Sequence, residues 1–350
     1  MKKTHKYLLL TLLGVIVLGL SLFVLAVKLR TLTANPDLIS IVQTGEHFET
    51  VAFSSDRSLI ATGTLIDSST YKITLWDREK GSPLRSWRTH DALDLSFSPD
   101  GKLLSSLSDV GVVLWNVPDG SEFRSLSFDQ EQVYRVVFAP DGKRLITAGG
   151  FTVRLWDISE GTVLKSLDTS RYGEPAALAI SPDGQTVVVG LGEGNGGAEV
   201  PDVGDSPILL WRLRDGEVIG RLRGHVNSVN SLLFSSDGEL LASAGGRSDG
   251  QFRLWSVREQ KLVGAISIRT SGLEKVFGYY PQVFAVTISQ DGSKAAFNDY
   301  ERVYVVTTNR VSIVKTFKLT GPFRGGLAYS NDGKFLFAVS KDGAIQTWRV

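Results

Sequence analysis

Two sets of residues in this chain have types and spacing that could do chemistry. One is four histidines, His5, His47, His90 and His225. The other is a run of aspartates, Asp56, Asp100, Asp141, Asp183, Asp237, Asp291 and Asp332. Paired histidines ligate metals, and carboxylates brought together serve as general acid and base. No His-x-x-x-His spacing occurs, and the single matches to Gly-x-Ser-x-Gly (Gly246 to Gly250) and Gly-x-Gly-x-x-Gly (Gly192 to Gly197) read as turns between strand segments, not where a strand opens a helix as a nucleophile elbow or phosphate-binding loop requires. The chain has no cysteine, which excludes disulfides, thiolate metal sites and a lipidated N-terminal Cys. The sequence therefore assigns no catalytic, metal-binding or cofactor-binding residue, and it reads as non-enzymatic. Convergence of carboxylates on a central channel is an arrangement that one sequence leaves open.

The aspartates have a structural explanation in the elements around them. Three segments align directly: FSPDGKLLSSLSDVGVVLWNV from Phe97, FAPDGKRLITAGGFTVRLWDI from Phe138 and FSSDGELLASAGGRSDGQFRLWSV from Phe234. Each reads as an apolar strand, an Asp-Gly turn, a second apolar strand, another turn and a strand ending at Trp. Asp bonds backbone two residues on, and Gly supplies the positive φ that closes a tight hairpin. The seven aspartates mark seven such turns, the first with Arg57 in place of Gly. The matching strand ends carry Trp76, Trp115, Trp156, Trp211, Trp255 and Trp348, with Val306 in the sixth unit. Residues 38–350 divide into units of about 45 residues, the length of a four-stranded propeller blade.

On these residues the sequence resembles the WD-repeat (WD40) family of β-propellers. Trp76-Asp77 and Trp156-Asp157 show the family dipeptide, and Gly224-His225 is its Gly-His signature. The resemblance implies an all-β, seven-bladed propeller of four-stranded antiparallel blades. It also implies that His225, Ser243, Asp249 and Trp255 form a structural hydrogen-bond set in the fifth unit, and that the protein assembles protein partners. The other units lack part of that set, and His90 is out of register with His225. Most blades are therefore expected to rely on Trp and aliphatic packing.

The seventh unit supplies only three strands, near 325–330, 335–340 and 344–350. An open strand edge invites aggregation. The segment LISIVQT, residues 38–44, belongs to no other blade and is expected to close the ring as the outer strand of the last one.

In each blade the Asp-Gly turn and the third turn share one face, while the second turn and the crossover share the other. The insertions Thr64–Thr70, Gly190–Pro207 and Ile268–Gln282 all fall on the second face. Gly190–Pro207 is Gly-rich and acidic, and reads as a solvated excursion. VFGYYP, with Phe277, Tyr279 and Tyr280, reads either as an interface anchor or as a local mini-core. Arg171, Tyr172, Phe323 and Arg324 lie in crossovers on the same face and join it as candidate partner-binding residues.

The N-terminus differs in kind. A basic flank, residues 1–6, precedes YLLLTLLGVIVLGLSLFVLAV, residues 7–27, which contain no charge. As a helix this segment spans roughly 31 Å, close to the ~30 Å hydrocarbon core. Its fifteen Leu, Ile, Val and Phe residues favour insertion by about 5–9 kcal/mol. An uncleaved single-pass anchor is expected, with a signal peptide cleaved after Val24-Leu25-Ala26 as the alternative. Lys2, Lys3 and Lys6 outnumber Lys28 and Arg30, so the propeller is expected on the extracytoplasmic side. Residues 28–37 are the linker and residues 38–350 the propeller domain.

Residues 1–37 hold five of the 38 Lys/Arg and one of the 37 Asp/Glu. The near-neutral remainder gives no electrostatic footprint for nucleic acid. The sequence thus reads as a membrane-anchored scaffold for protein–protein interaction through the loop face. A propeller that senses a ligand or peptide in its central channel is the alternative.

Overall fold

The computed structural model describes residues 36–68, 70–108, 111–128, 132–192, 206–247, 249–268, 282–321, 323 and 326–350. The anchor segment, residues 7–27, lies outside them. Among the described residues no helix is long and apolar enough to cross a membrane. They form twenty-eight strands in seven four-stranded antiparallel sheets.

Strand β1 (Leu38–Gln43) stands alone at the start. Blade 1 holds β2 (Thr50–Phe53), β3 (Leu59–Asp67), β4 (Thr70–Asp77) and β5 (Ser82–Thr89). Blade 2 holds β6 (Leu95–Phe97), β7 (Leu103–Leu107), β8 (Gly111–Asn116) and β9 (Glu122–Ser127). Blade 3 follows with β10 (Arg135–Phe138), β11 (Arg144–Gly149), β12 (Thr152–Asp157) and β13 (Thr162–Asp168). Blade 4 is β14 (Pro175–Ile180), β15 (Thr186–Leu191), β16 (Ile208–Arg212) and β17 (Glu217–Leu222). Blade 5 is β18 (Val229–Phe234), β19 (Leu240–Gly245), β20 (Gln251–Ser256) and β21 (Lys261–Ser267). Blade 6 contains β22 (Val286–Ile288), β23 (Lys294–Asn298), β24 (Arg302–Thr307) and β25 (Ser312–Lys318). Blade 7 contains β26 (Leu327–Tyr329), β27 (Phe335–Val339) and β28 (Ala344–Arg349).

The fourth strand of blade 7 is β1, which runs antiparallel to β28 with Ile41 opposite Gln346 and Gln43 opposite Ala344. The Arg349 N–H donates to the Asp37 carbonyl at 2.8 Å, so pairing extends to the residue before β1. Burial between blades completes the ring. The buried apolar side chains form seven clusters, one at each boundary: Ile146 and Leu155 of blade 3 pack with Val189 and Trp211 of blade 4, and Ile60 and Trp76 of blade 1 pack with Val339 and Ile345 of blade 7. Burial of this kind stabilises by roughly 25 cal/mol per Å² of apolar surface.

The Asp-Gly turns share one device. In six blades a serine two residues before the aspartate donates its hydroxyl to the carboxylate: Ser54, Ser98, Ser181, Ser235, Ser289 and Ser330, at 2.5–2.7 Å. The same serine oxygen accepts the N–H five residues on, for example from Leu103 and Leu240 at 2.9 Å. The carboxylate in turn accepts an N–H of the turn, as from Lys102 at 3.1 Å. Blade 3 has Ala139 instead, and there Arg144 Nε donates to Asp141 at 2.6 Å. Arg57 replaces glycine in blade 1 and holds φ at 60°.

The hydrogen-bond set of blade 5 is present in full. His225 bridges Asp249 through Nδ1 and the Ser243 hydroxyl through Nε2, the latter at 2.6 Å, and Trp255 Nε1 donates to Ser243 Oγ at 2.8 Å. The expectation that most other blades rely on packing rather than on this network holds for blades 4, 6 and 7 and needs correction for blades 1, 2 and 3. Trp76 donates to Thr62, Trp115 to Ser106 and Trp156 to Thr147, all at 2.8–2.9 Å. In each case the hydroxyl lies two residues beyond the tryptophan's cross-strand partner, as Thr147 does relative to Leu145. In blades 4 and 7 that position is Val189 or Ala338. Trp211 and Trp348 accordingly bury their indole N–H with no acceptor among the described residues.

Candidate protein-interaction face

The clamped turns fix one face of the disc. The opposite face is where second turns and crossovers meet, and of the candidate partner-binding residues Arg171 and Tyr172 are described there. In blade 1 the inserted segment continues the hairpin as a β-ribbon instead of looping away. Leu65 pairs with Tyr71 and Asp67 with Thr70. Its tip exposes Leu65 and Ile66. Lys72 Nζ reaches Glu46 at 2.6 Å and pins the ribbon at its base.

Arg171 is exposed and Tyr172 half-buried in the crossover from blade 3 to blade 4. The Tyr172 N–H donates to the Thr169 carbonyl at 2.8 Å. The Arg221 guanidinium lies 4.5 Å from the Tyr172 ring centroid and donates to its hydroxyl at 3.3 Å. Such stacking holds the ring in one orientation. Phe323 is placed differently from the surface role given to it: it is fully buried, in the cluster between blades 6 and 7 with Phe317 and Trp348. It supports this face from beneath and offers a partner no surface of its own. Phe277, Tyr279, Tyr280 and Arg324 lie outside the described residues.

Sequence reasoning passed over Tyr134 and Phe151, both exposed on the loop edge of blade 3. It raised the central channel as a ligand site but named none of the residues at its mouth. The inner strands run from the loop face to the Asp-Gly face, so residues at their start ring the loop-face end of the channel. There Asp94, Arg135, Asn230 and Ser231 line a cavity of about 210 Å³. Val137, Leu178, Ile180 and Phe234 line an apolar space of about 290 Å³ toward the other face. Burial pushes the Asp94 carboxyl up, against the opposing pull of Arg135 and of the Val136 N–H, which it accepts at 2.9 Å. Alternation along a strand, combined with position at its start, would have indicated these residues.

Among the described residues no three His, Cys, Asp or Glu side chains are grouped to hold a metal. Asp56, Asp100, Asp237, Asp291 and Asp332 carry lowered pKa values because the serine hydroxyls and turn N–H groups bond the ionised carboxylate. At Asp291 the Ser289 and Ser293 hydroxyls hold it down to about 2. These carboxylates are engaged in turn geometry.

Comparison with known proteins agrees with the geometry. The family model described as "WD domain, G-beta repeat" matches residues 81–116, 120–157 and 216–256. Small ribosomal subunit protein RACK1y of Oryza sativa subsp. japonica is 26% identical over 146 residues, 42% of this chain and 42% of that protein. Protein ROOT INITIATION DEFECTIVE 3 of Arabidopsis thaliana is 42% identical over 50 residues, 14% of this chain and 11% of its own. Denticleless protein homolog A of Xenopus laevis is 41% identical over 61 residues, 17% of this chain and 8% of its own. The chain thus matches less than half the length of each of these relatives. Three matched stretches, set into seven closed four-stranded blades, establish that the chain carries WD40 repeats on a seven-bladed β-propeller.

Proposed function

We propose that this protein is a membrane-anchored, non-catalytic scaffold that binds protein partners through the loop face, opposite the Asp-Gly turns. The observation that carries the reading is a contrast between faces. On one, the repeated carboxylates are committed to clamps. On the other, Leu65, Ile66, Tyr134 and Phe151 stand exposed, the residue types that anchor interfaces. Its repeats, like those matched in RACK1y, fit a role in protein assembly. Residues 7–27 serve as the single-pass anchor, with the propeller on the extracytoplasmic side. The linker of ten residues spans at most about 33–36 Å and enters beside Arg349, so the Asp-Gly face sits nearer the bilayer. Confinement to the membrane raises the effective concentration toward co-resident partners.

Proximity labelling from the full-length protein tests the scaffold reading. Substitution of Tyr279, Tyr280 and Arg324 by Ala is expected to remove neighbours that the wild type labels. An unchanged set clears these residues of the role. Depth-sensitive probes at Lys102 and Tyr280 test the orientation, and Tyr280 nearer the bilayer rejects it.

The channel mouth supports a second reading, in which a small molecule or peptide enters beside Asp94, Arg135 and Asn230. A ligand of the folded state raises the melting temperature in metabolite mixtures. A pure scaffold gives no response.

A further inference from the structure

The β11–β12 hairpin of blade 3 closes on two residues, Gly150 and Phe151, because Gly149 pairs with Thr152. Both have positive φ, 55° and 64°. This is the two-residue turn in which both positions favour Gly, Asn or Asp. A bulky aromatic side chain there is held against the steric preference of its backbone. Packing does not account for it: Phe151 is 41% exposed and belongs to none of the buried clusters. It makes no aromatic stacking contact among the described residues. Its carbonyl accepts the Thr169 N–H at 2.7 Å, a bond that any residue would make.

The neighbouring strand brings two further groups to the same edge. The Tyr134 N–H donates to the Ala148 carbonyl at 2.8 Å, which places this exposed residue on the same edge as the turn, with its hydroxyl donating to Gln132 Oε1 at 2.8 Å. Arg135 follows at the channel mouth. Its guanidinium donates to the Tyr134 carbonyl at 2.9 Å and, although its charge acts on the Asp94 carboxyl across the cavity, no carboxylate of the described residues is in direct ion-pair contact with it. Asp94 shares the cavity but is held by the Val136 N–H. Gly149 allows this crowding, since a Cβ there would meet the Gln132 carbonyl at 2.2 Å.

We propose that Phe151, Tyr134 and Arg135 form a docking site for an extended segment of a protein partner, one that presents a bulky apolar side chain next to a carboxylate. The apolar group lies against the two rings and the carboxylate pairs with the guanidinium, where a bidentate geometry is available. The strained turn is kept because it aims the Phe151 ring outward. This site rests on the loop-face reading above and gives it a location and a partner chemistry.

The test is selection of a displayed library of random dodecapeptides on the full-length protein in lipid nanodiscs, followed by titration of the synthetic winners. The expected consensus is an apolar residue beside Asp or Glu. A basic or uncharged consensus, or no enrichment over an unrelated nanodisc protein, overturns the proposal. Phe151→Gly and Phe151→Asn relieve the backbone and are expected to melt no lower than the wild type, by up to about 2–4 °C higher, yet to bind the winners at least tenfold more weakly. Arg135→Gln is expected to match that loss for acidic peptides and to leave their Gln-substituted versions unaffected. Winners that bind these variants normally sink the site. If they are lost instead on substitution of Tyr279 and Tyr280, the loop-face reading stands without it.

Discussion

Val311 occupies a backbone conformation with φ of 45°, and Gly264, across the blade boundary, supplies the space for its side chain. A Cβ on Gly264 would lie 2.7 Å from Val311 Cγ2. The third turn of each of these blades packs on the outer strand of the preceding one, and glycine stands on one side of the contact. Gly81, Gly120 and Gly161 sit in the turn against Val42, Trp87 and Leu126. In blades 5 and 6 the arrangement is reversed, with Gln260 over Gly220 and Val311 over Gly264.

Gly264→Ala is therefore expected to destabilise by about 1–3 kcal/mol through overpacking. Combined with Val311→Gly, much of that loss should return. A double-mutant cycle by urea denaturation should give a coupling energy of at least about 1 kcal/mol. Additive effects would show that the two residues do not share this contact.

The tryptophans divide into two energetic classes. Trp255→Phe takes one hydrogen bond from the Ser243 hydroxyl in a buried network with His225 and Asp249, and losing such a bond costs about 0.5–1.5 kcal/mol. Trp211→Phe removes an indole N–H that has no acceptor among the described residues. Both changes shrink a core side chain. The first should cost more by about that margin, as read from thermal or chemical unfolding. Equal losses would refute the distinction.

Acid sensitivity should trace to the serine–aspartate clamps. Asp291 is held down to about 2 in the folded protein, below the usual unfolded value of about 3.9. A depressed carboxyl contributes stability above its unfolded pKa and loses it as pH falls through the folded one. The stability difference between wild type and Ser289→Ala should thus be full at neutral pH and shrink from about pH 4 to pH 2. Urea midpoints measured across that range check it; a constant difference would argue against the linkage.

Ring closure predicts the fate of a truncated protein. A chain starting at Gly45 loses β1 and exposes the whole edge of β28, together with the Val42 contact beneath Gly81. It should unfold at lower temperature and aggregate. A truncated protein as soluble and heat-resistant as the full chain would contradict the closure.

Much of this architecture was legible because its signals repeat. Asp-Gly at regular spacing marked the first turn of each blade except the first, which carries Asp56-Arg57, and the deficit of one strand after Phe335 called for a partner at residues 38–44. The set of His225, Ser243, Asp249 and Trp255 was readable from its residue types. What repetition did not carry was harder to see. The partners of Trp76, Trp115 and Trp156 are ordinary hydroxyls, noticeable only once the cross-strand register is known. Phe323 sits in an irregular crossover with no alternation to assign its side, so its burial had no sequence signal. Phe151 follows two glycines that already suggest a turn, but only the backbone shows that the aromatic residue itself has positive φ.

The pairing of Thr44 with Gly343 joins positions 299 residues apart. During synthesis at about 5–20 residues per second, the first strand waits roughly 15–60 s for its neighbour to leave the ribosome. The apolar segment Leu38–Gln43 must be shielded throughout that interval. A circular permutant opened between two interior blades would present both halves of each sheet in succession and should shorten the vulnerable period.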